Sequence, residues 1–567
     1  MVNYKIVLVL SRKPDKRTEQ LELLEKDIFC NRDIQYEIEE TEKNFYIKTT
    51  TTEDNFERLA DVFNIPKPIT FNHKVYLLSK LLRCEILKEK HYVKDYFVYS
   101  FINFKKKLSD SYEESKYSFL KFPIEEFRHV HGEEHTYYFD FVQHVTKWLC
   151  FIMLFGLIGF VYQQVTDTVD NWYGVIYTFI ITIWSSVWLK YWDRNVVVRN
   201  YQWELKNISI VEPNRTQFVC EPIEKKYLGK TISYYPRRER VLKFVFACIP
   251  ILLLFVGAVV LNVYLNIWMQ SNYESLEGFD RLFNQGISSV IYTSIMIGLD
   301  LIFDKISLRL TEWENHQYWS AHRNSLIMKQ NVFMFFNTFF GLFYKICFLQ
   351  TYNIDRLYRD LLTQYALKEI VYRHAKDTIV RVGTKCIHNI MGKVRLTTPE
   401  SSSLDKEYSK NELDIKFLID NYQTIIILYT YATMFACFFP LAPVLFFINN
   451  WYEVNVDYKD YEKYRISIPH EVNDIGIWRD ILRVVSYVSI TINALLILFY
   501  SKIFPEDLDL LTKIFIVVIY ERFLIVVRYL VNFLKADRPS MLRALLKHEL
   551  ESKHEDMEKE IFDSVRI

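Results

Sequence analysis

The chain has 567 residues, 50% of them hydrophobic, 17% aromatic and 25% charged, and its mean hydropathy of −0.02 would suit a string of soluble domains as well as a membrane protein. A net charge of +1 without a standout basic tract argues against nucleic acid as a partner, and eight cysteines with no CxxC pair argue against a disulfide framework or a zinc site. No P-loop, nucleophile elbow or zinc motif occurs and the histidines lack metal spacing, so an enzyme is not expected.

The first 135 residues read as soluble. "YKIVLVL", "IQYEIEE" and "KNFYIKTT" predict strands, while "TEQLELLEKDIF" and the segment from "TEDNFERLADVF" predict helices. That order fits a small ferredoxin-like α+β sandwich over residues 1–135. The opening "MVNYKIVLVLSRKPDKRTEQ" has too short an apolar stretch for a signal peptide and becomes charged at once, so the first span is expected to act as its own targeting signal.

Beyond this point the charges separate into blocks. Lys147 and Asp167 bracket 19 uncharged residues, Asp170 and Lys190 another 19, and Lys243 and Glu274 a run of 30. At ~1.5 Å per residue each can cross ~30 Å of hydrocarbon. Further long uncharged runs follow Arg281, Lys329, Asp420 and Arg483, and a last apolar stretch over 514–534 carries a few charges. The run over 421–452 is too long for one span and is broken by "FFPLAPV", where Pro440 and Pro443 end one helix and permit a tight turn into the next. The connection over 191–240 holds ten Lys and Arg residues and that over 162–173 holds none, which puts the first, and with it the N-terminal domain, in the cytosol.

Polar faces recur within the later spans. In "SSVIYTSIMIGLDLIFDKI", Ser289, Thr293, Asp300 and Asp304 fall near one face; Asn337 and Tyr344 do likewise on the next span, and the following polar segment adds Gln364, Lys368, Glu369, Arg373, His374 and Lys376. Charges at membrane depth cost ~2.5 to 3.5 kcal/mol each on insertion scales, so these should face a protein interior or a wet cavity. Such a furrow, open to lipid, would let a phospholipid headgroup slide while its tails stay in the bilayer; isolated Ser and Thr would serve equally as glue between helices. Glu453 and Asp457, four apart, share one helical face beyond Pro443 and are read either as a solvated helix end or as part of a cation site. In "FIVVIYERFLIVVRYLVNF", Glu521, Arg522 and Arg528 need water or a protein partner, which makes the last span the expected dimer contact.

The stretch "YATMFACFFPLAPVLFFINNWYEVNVDYKDY", followed by "NDIGIWRDILRVVSYVSITINALLILFYS", resembles the seventh to ninth transmembrane helices of the anoctamin family. "HGEEHTYYFDFVQHVTKWL", "WLKYWDRN", "LTEWENHQ", "KQNVFMFFNTFFGLFYKICF" and "YERFLIVVRYLVNFLKADRP" agree in order and spacing, so that the resemblance covers roughly residues 120 to 550. It implies an all-α polytopic membrane protein with ten transmembrane helices over 136–540, a cytosolic C-terminal helix or tail over 541–567, and a homodimer in which each subunit keeps a groove between helices four to six. It also implies movement of phospholipids, ions or both, usually under calcium control.

The family's calcium site uses acidic residues on helices six, seven and eight. By this resemblance Glu453 and Asp457 match the pair on helix eight, but the two positions on helix seven fall on Asn421 and Thr424, and those on helix six on Asp377 and Arg381 or, in a shifted register, Arg373 and Asp377. Calcium takes about six to eight oxygen ligands, so calcium control is expected to be weak or lost, with the arginine as a built-in cation. The expected activity is lipid scrambling in the plasma membrane or an intracellular membrane; an anion channel with Lys345, Lys368 and Arg373 attracting anions is one alternative, and a non-transporting tether or scaffold another.

Overall fold

The computed structural model describes residues 5–548 apart from interruptions, the longest being 27–32, 116–120, 206–214, 349–353, 368–402, 466–471 and 502–508. Strands β1 (Ile6–Leu10), β2 (Ile34–Glu40), β3 (Phe45–Thr51) and β4 (Asp95–Val98) form an antiparallel sheet in the order β2-β3-β1-β4. Helix α1 (Pro14–Leu24) joins β1 to β2, and α2 (Glu53–Phe63), α3 (Phe71–Leu82) and α4 (Cys84–Glu89) lie between β3 and β4. Every residue of central strand β1 is buried, and its side chains divide by the two-residue period of a strand. Ile6, Leu8 and Leu10 join the main core with Ile47, Phe56 and Leu78, whereas Val7 and Val9 turn the other way, into a small separate cluster with Tyr46 and Phe97.

Helices α5 (Ile102–Ser115) and α6 (Ile124–His131) lead from the sheet to a bundle made of α7 (Glu133–Thr166), α8 (Trp172–Gln202), α9 (Arg237–Glu274), α10 (Gly278–Trp313), α11 (Trp319–Phe348) and α12 (Ile354–Gln364). Between α8 and α9 lies a hairpin of β5 (Glu221–Lys225) and β6 (Lys230–Tyr234). After the short α13 (Ser403–Tyr408), the bundle is completed by α14 (Ile415–Met434), α15 (Ala442–Lys463), α16 (Ile477–Tyr500) and α17 (Leu510–Leu534). Among the described residues six segments are long and apolar enough to cross a membrane: Glu133–Thr166, Trp172–Gln202, Val241–Trp268, Ile287–Trp313, Trp319–Phe348 and Ile477–Tyr500. Their outer surfaces are apolar, as Leu252, Leu253, Val256 and Val260 of α9 illustrate, which suits lipid and not water.

The sequence around 421–452 folds as its prolines require. α14 ends at Met434, Phe438 and Phe439 donate their N–H groups to the Phe435 carbonyl at 3.1 and 2.8 Å, and α15 starts just before Pro443. The freed Cys437 N–H is satisfied by the Asn493 side-chain oxygen at 3.2 Å. α14 is apolar and buried on nearly all sides, with Leu428, Tyr429, Tyr431 and Ala432 fully enclosed, so it is the bundle's central helix. Geometry requires glycine at 174 and at 476. A Cβ at Gly174 would collide with the Cys437 carbonyl, and Gly476, at φ +65°, turns the chain into α16 while donating its N–H to Asp474 at 2.6 Å.

Candidate functional site

A column of polar side chains follows one face of α10. Thr293, Asp300, Asp304, Ser307 and Thr311, with Glu314 just past the helix end, recur at steps of seven, four, three, four and three residues, which keep them on one side of a helix. Partners from other helices meet Asp300, Asp304, Thr311 and Glu314. Asn337 of α11 donates to the Met296 carbonyl at 2.9 Å and to Asp300 at 2.7 Å. Lys416 at the start of α14 reaches Asp304 at 3.0 Å. Lys329 of α11 binds Thr311 at 3.0 Å and Glu314 at 2.7 Å, and Glu314 also takes contacts from Ser325 at 3.0 Å and His316 at 2.8 Å. At the opposite end Lys345 of α11 pairs with Asp360 of α12 at 2.8 Å. Behind the column, Tyr292 donates to Asn262 of α9 at 2.7 Å, its hydroxyl filling space that only a glycine at 341 leaves open.

These contacts place the residues expected to line a furrow. Thr293 and Asn337 are 7% and 3% exposed, so at their level the polar faces of α10 and α11 are turned onto each other and closed. Ser289, Asp300, Tyr344 and Gln364 are half-buried, and Tyr344 stacks on Phe348. Lys345, expected to attract anions, has its charge answered by Asp360. Lys368, Glu369, Arg373, His374, Lys376, Asp377 and Arg381 lie outside the described residues. The polar face expected from the sequence ends at Asp304; Ser307, Thr311, Glu314, Lys329 and Lys416 extend it. Continuing the same period for nearly three more turns, to the residue just past the end of α10, reaches the first three; nothing local signals the two lysines.

The acidic pair is not a solvated helix end. Glu453 and Asp457 are 5% and 2% exposed, on a face of α15 that also buries Phe446, Asn449, Asn450 and Tyr461. Tyr138 of α7 donates its hydroxyl to Asp457 at 2.5 Å. Asn421 is buried on neighbouring α14, whereas Thr424 turns its hydroxyl back to the Asp420 carbonyl at 3.0 Å. Among the described residues no three His, Cys, Asp or Glu side chains converge as a metal cluster would require. Two carboxylates, one of them already holding a tyrosine hydroxyl, and nearby amide side chains fall short of the six to eight oxygens that calcium takes, so this described donor set does not fit a strong calcium site.

Of the residues expected at a dimer contact, Arg522 is exposed and Glu521 accepts a hydrogen bond from Thr491 of α16 at 2.7 Å. Arg528 is 2% exposed: it meets Ser185 of α8 at 3.4 Å and lies over the Tyr487 ring at 4.2 Å. For Arg528 the protein surroundings come from its own chain.

Comparison with known proteins matches residues 127–549 to the family described as "Anoctamin: Calcium-activated chloride channel". Human Anoctamin-10 is 27% identical over 459 residues, 78% of this chain and 67% of that protein. Zebrafish (Danio rerio) Anoctamin-10 is 26% identical over 465 residues, 78% of this chain and 69% of the relative. Anoctamin-4 of Bos taurus is 24% identical over 385 residues, 61% of this chain and 42% of its own length.

Proposed function

The chain belongs to the anoctamin family, and we propose that it is an integral membrane protein that scrambles phospholipids between leaflets along the polar face of α10. The observation that carries this reading is the composition of the α10–α11–α12 seam. Among the described residues along it, Asp300, Asp304, Glu314 and Asp360 stand against Lys329, Lys345 and Lys416, four carboxylates to three ammonium groups. A nearly balanced column of both signs suits a zwitterionic headgroup, whose phosphate replaces a carboxylate beside a lysine while its amine replaces a lysine beside a carboxylate. An anion pathway wants a positive excess. The closed contacts would part to admit the headgroup, exchanging one set of charge-assisted hydrogen bonds for another, so the net cost of opening is far below that of dragging a bare headgroup through hydrocarbon.

The wider architecture follows the same reading. Ten bundle helices, α7 to α12 and α14 to α17, serve as ten spans, α12 together with residues beyond those described, and α12, α14, α15 and α17 pack on the other six. Both termini face the cytosol, as the lysines and arginines of 191–240 support. The sheet order β2-β3-β1-β4 with helical crossovers supports a ferredoxin-like N-terminal domain. The protein acts as a homodimer through α17, in the plasma membrane or an intracellular one, with calcium control weak or lost.

Burial of Thr293 and Asn337 favours a second reading, a tether whose seam never opens. Reconstitution into liposomes with a fluorescent-lipid assay and a parallel chloride-flux assay, each with and without calcium, separates the possibilities. Lipid movement supports scrambling, chloride flux alone transfers the assignment to a channel, and neither leaves the tether.

A further inference from the structure

The outer face of the N-terminal sheet is covered by a short helix from far along the chain. α13 sets Leu404 among Val7, Val9, Tyr46 and Phe97, and the Tyr408 ring lies 6.1 Å from the rings of both Tyr46 and Phe97. Asp405, 7% exposed, accepts hydrogen bonds from the Tyr46 hydroxyl at 2.7 Å and from the Thr41 and Asn44 side chains at 3.2 Å each. Lys105 of α5 binds Glu407 at 2.6 Å.

The same region grips the helix that carries the acidic pair. Lys410, just past α13, donates to the Glu462 carbonyl of α15 at 3.1 Å. Arg465, just past α15, reaches Asp95 of β4 at 2.8 Å and lies over the Tyr408 ring at 5.4 Å. Higher on α15, Tyr112 of α5 donates to Asn455 at 2.7 Å and stacks on Tyr458 with 3.5 Å between ring centroids. Asn455 and Tyr458 flank Asp457 in sequence, and α14, with Asn421, begins seven residues after Tyr408.

The cluster around Leu404 is small and separate from the main core, the kind of contact that opens locally while the rest of the fold stays intact. We propose that α13 is a regulatory strap. Docked on the sheet, it clamps the domain-side ends of α14 and α15 and fixes how far the Asn421 face stands from Glu453 and Asp457; released, it lets the two helices shift, and the seam that Lys416 closes from α14 shifts with them. The clamp itself is independent of what is transported, and its effect on lipid movement rests on the scrambling proposed above.

The test uses the full-length protein in liposomes, comparing Leu404→Asp, which puts a charge into the apolar cluster, with Leu404→Met, which keeps it apolar. Amide hydrogen exchange over 403–410 reports release of the strap, and exchange over 415–424 and 453–463 reports its consequence. Leu404→Asp should raise both by about tenfold or more and alter lipid transport several-fold, with Leu404→Met close to wild type. Raised exchange in the strap with unchanged exchange in α14 and α15 overturns the clamp. Raised exchange in all three segments with unchanged lipid and chloride movement overturns the regulatory role. A wild-type protein that moves neither lipid nor chloride defeats the transport reading separately, and the exchange measurement then decides the clamp alone.

Discussion

The Tyr138 hydroxyl of the first bundle helix donates to Asp457 of α15 at 2.5 Å across 319 positions of sequence, which ties a buried carboxylate to a neutral donor. Tyr138→Phe removes that hydrogen bond from a buried carboxylate, at a cost of about 1–3 kcal/mol. The expected result is a lower melting temperature in detergent, partly restored by millimolar calcium because the carboxylate no longer holds the tyrosine hydroxyl. A variant that melts like wild type, or one that calcium does not stabilise more than wild type, counts against this role for the tyrosine.

Asn337 holds Asp300 and the Met296 carbonyl together across α10 and α11. Replacing Thr293 and Asn337 with leucine makes that level of the seam apolar, and lipid scrambling is expected to fall by about tenfold or more, the consequence of desolvating a headgroup by a kcal/mol or two at one step. Monodispersity and melting are measured first, since Asp300 loses a hydrogen bond. Undiminished scrambling in a well-folded double variant removes the seam from the lipid path.

Lys345 and Asp360 form the pair that joins α11 to α12. Asp360→Asn removes the carboxylate that Lys345 pairs with and, among the described residues, turns the four-to-three balance of the seam to three carboxylates against three ammonium groups. Chloride flux relative to potassium flux is expected to rise several-fold, while Lys345→Met moves it the other way. Equal ratios in wild type and both variants would separate ion passage from this seam.

His73 of α3 is buried beside Arg128, and burial first, with that guanidinium second, lowers its pKa from the usual 6.5 to about 4. A group whose folded pKa is depressed adds stability above its unfolded pKa and loses it as pH falls through the folded value. The window is therefore pH 6.5 down to 4, with roughly 2 kcal/mol gone by pH 5. Melting of the full chain at pH 7.5 and pH 5 should show the loss, and His73→Gln should shrink it. A variant with the same pH dependence as wild type assigns the effect elsewhere.

What was legible in the sequence was local. Alternation in "YKIVLVL" marked β1, the pair of prolines in "FFPLAPV" marked the break between α14 and α15, and the spacing of Thr293, Asp300 and Asp304 marked a face of α10. Which way that face turns was not legible, because an open furrow and a closed seam need the same periodicity. Partners supplied from distant segments left no signal either: Lys416 for Asp304, Tyr138 for Asp457, and Asp405 for Tyr46 are each more than a hundred positions away. The solvated and buried readings of Glu453 and Asp457 were equally compatible with their spacing, and only the packing of α15 against α7 and α14 separates them.

That packing decides the last expectation, which concerns calcium. Asn421 and Thr424 stand on α14 where the resemblance implies glutamates, so the described helices bring two carboxylates to the site, and Thr424 spends its hydroxyl on its own helix. Fewer anionic oxygens mean weaker affinity for a doubly charged ion. Lipid transport by the wild-type protein is therefore expected to change little between calcium-free and micromolar-calcium conditions. Neutralising one acid by Glu453→Gln should leave the calcium dependence unaltered and relieve repulsion within the buried pair, so the melting temperature holds or rises. Changing Asn421 and Thr424 together to glutamate should do the opposite, lowering stability without calcium and creating a calcium-dependent gain in both melting temperature and transport. A sharp activation of the wild type at micromolar calcium, abolished by Glu453→Gln, would mean that ligands from 368–402 complete the site and that two acids on α15 suffice from the other side.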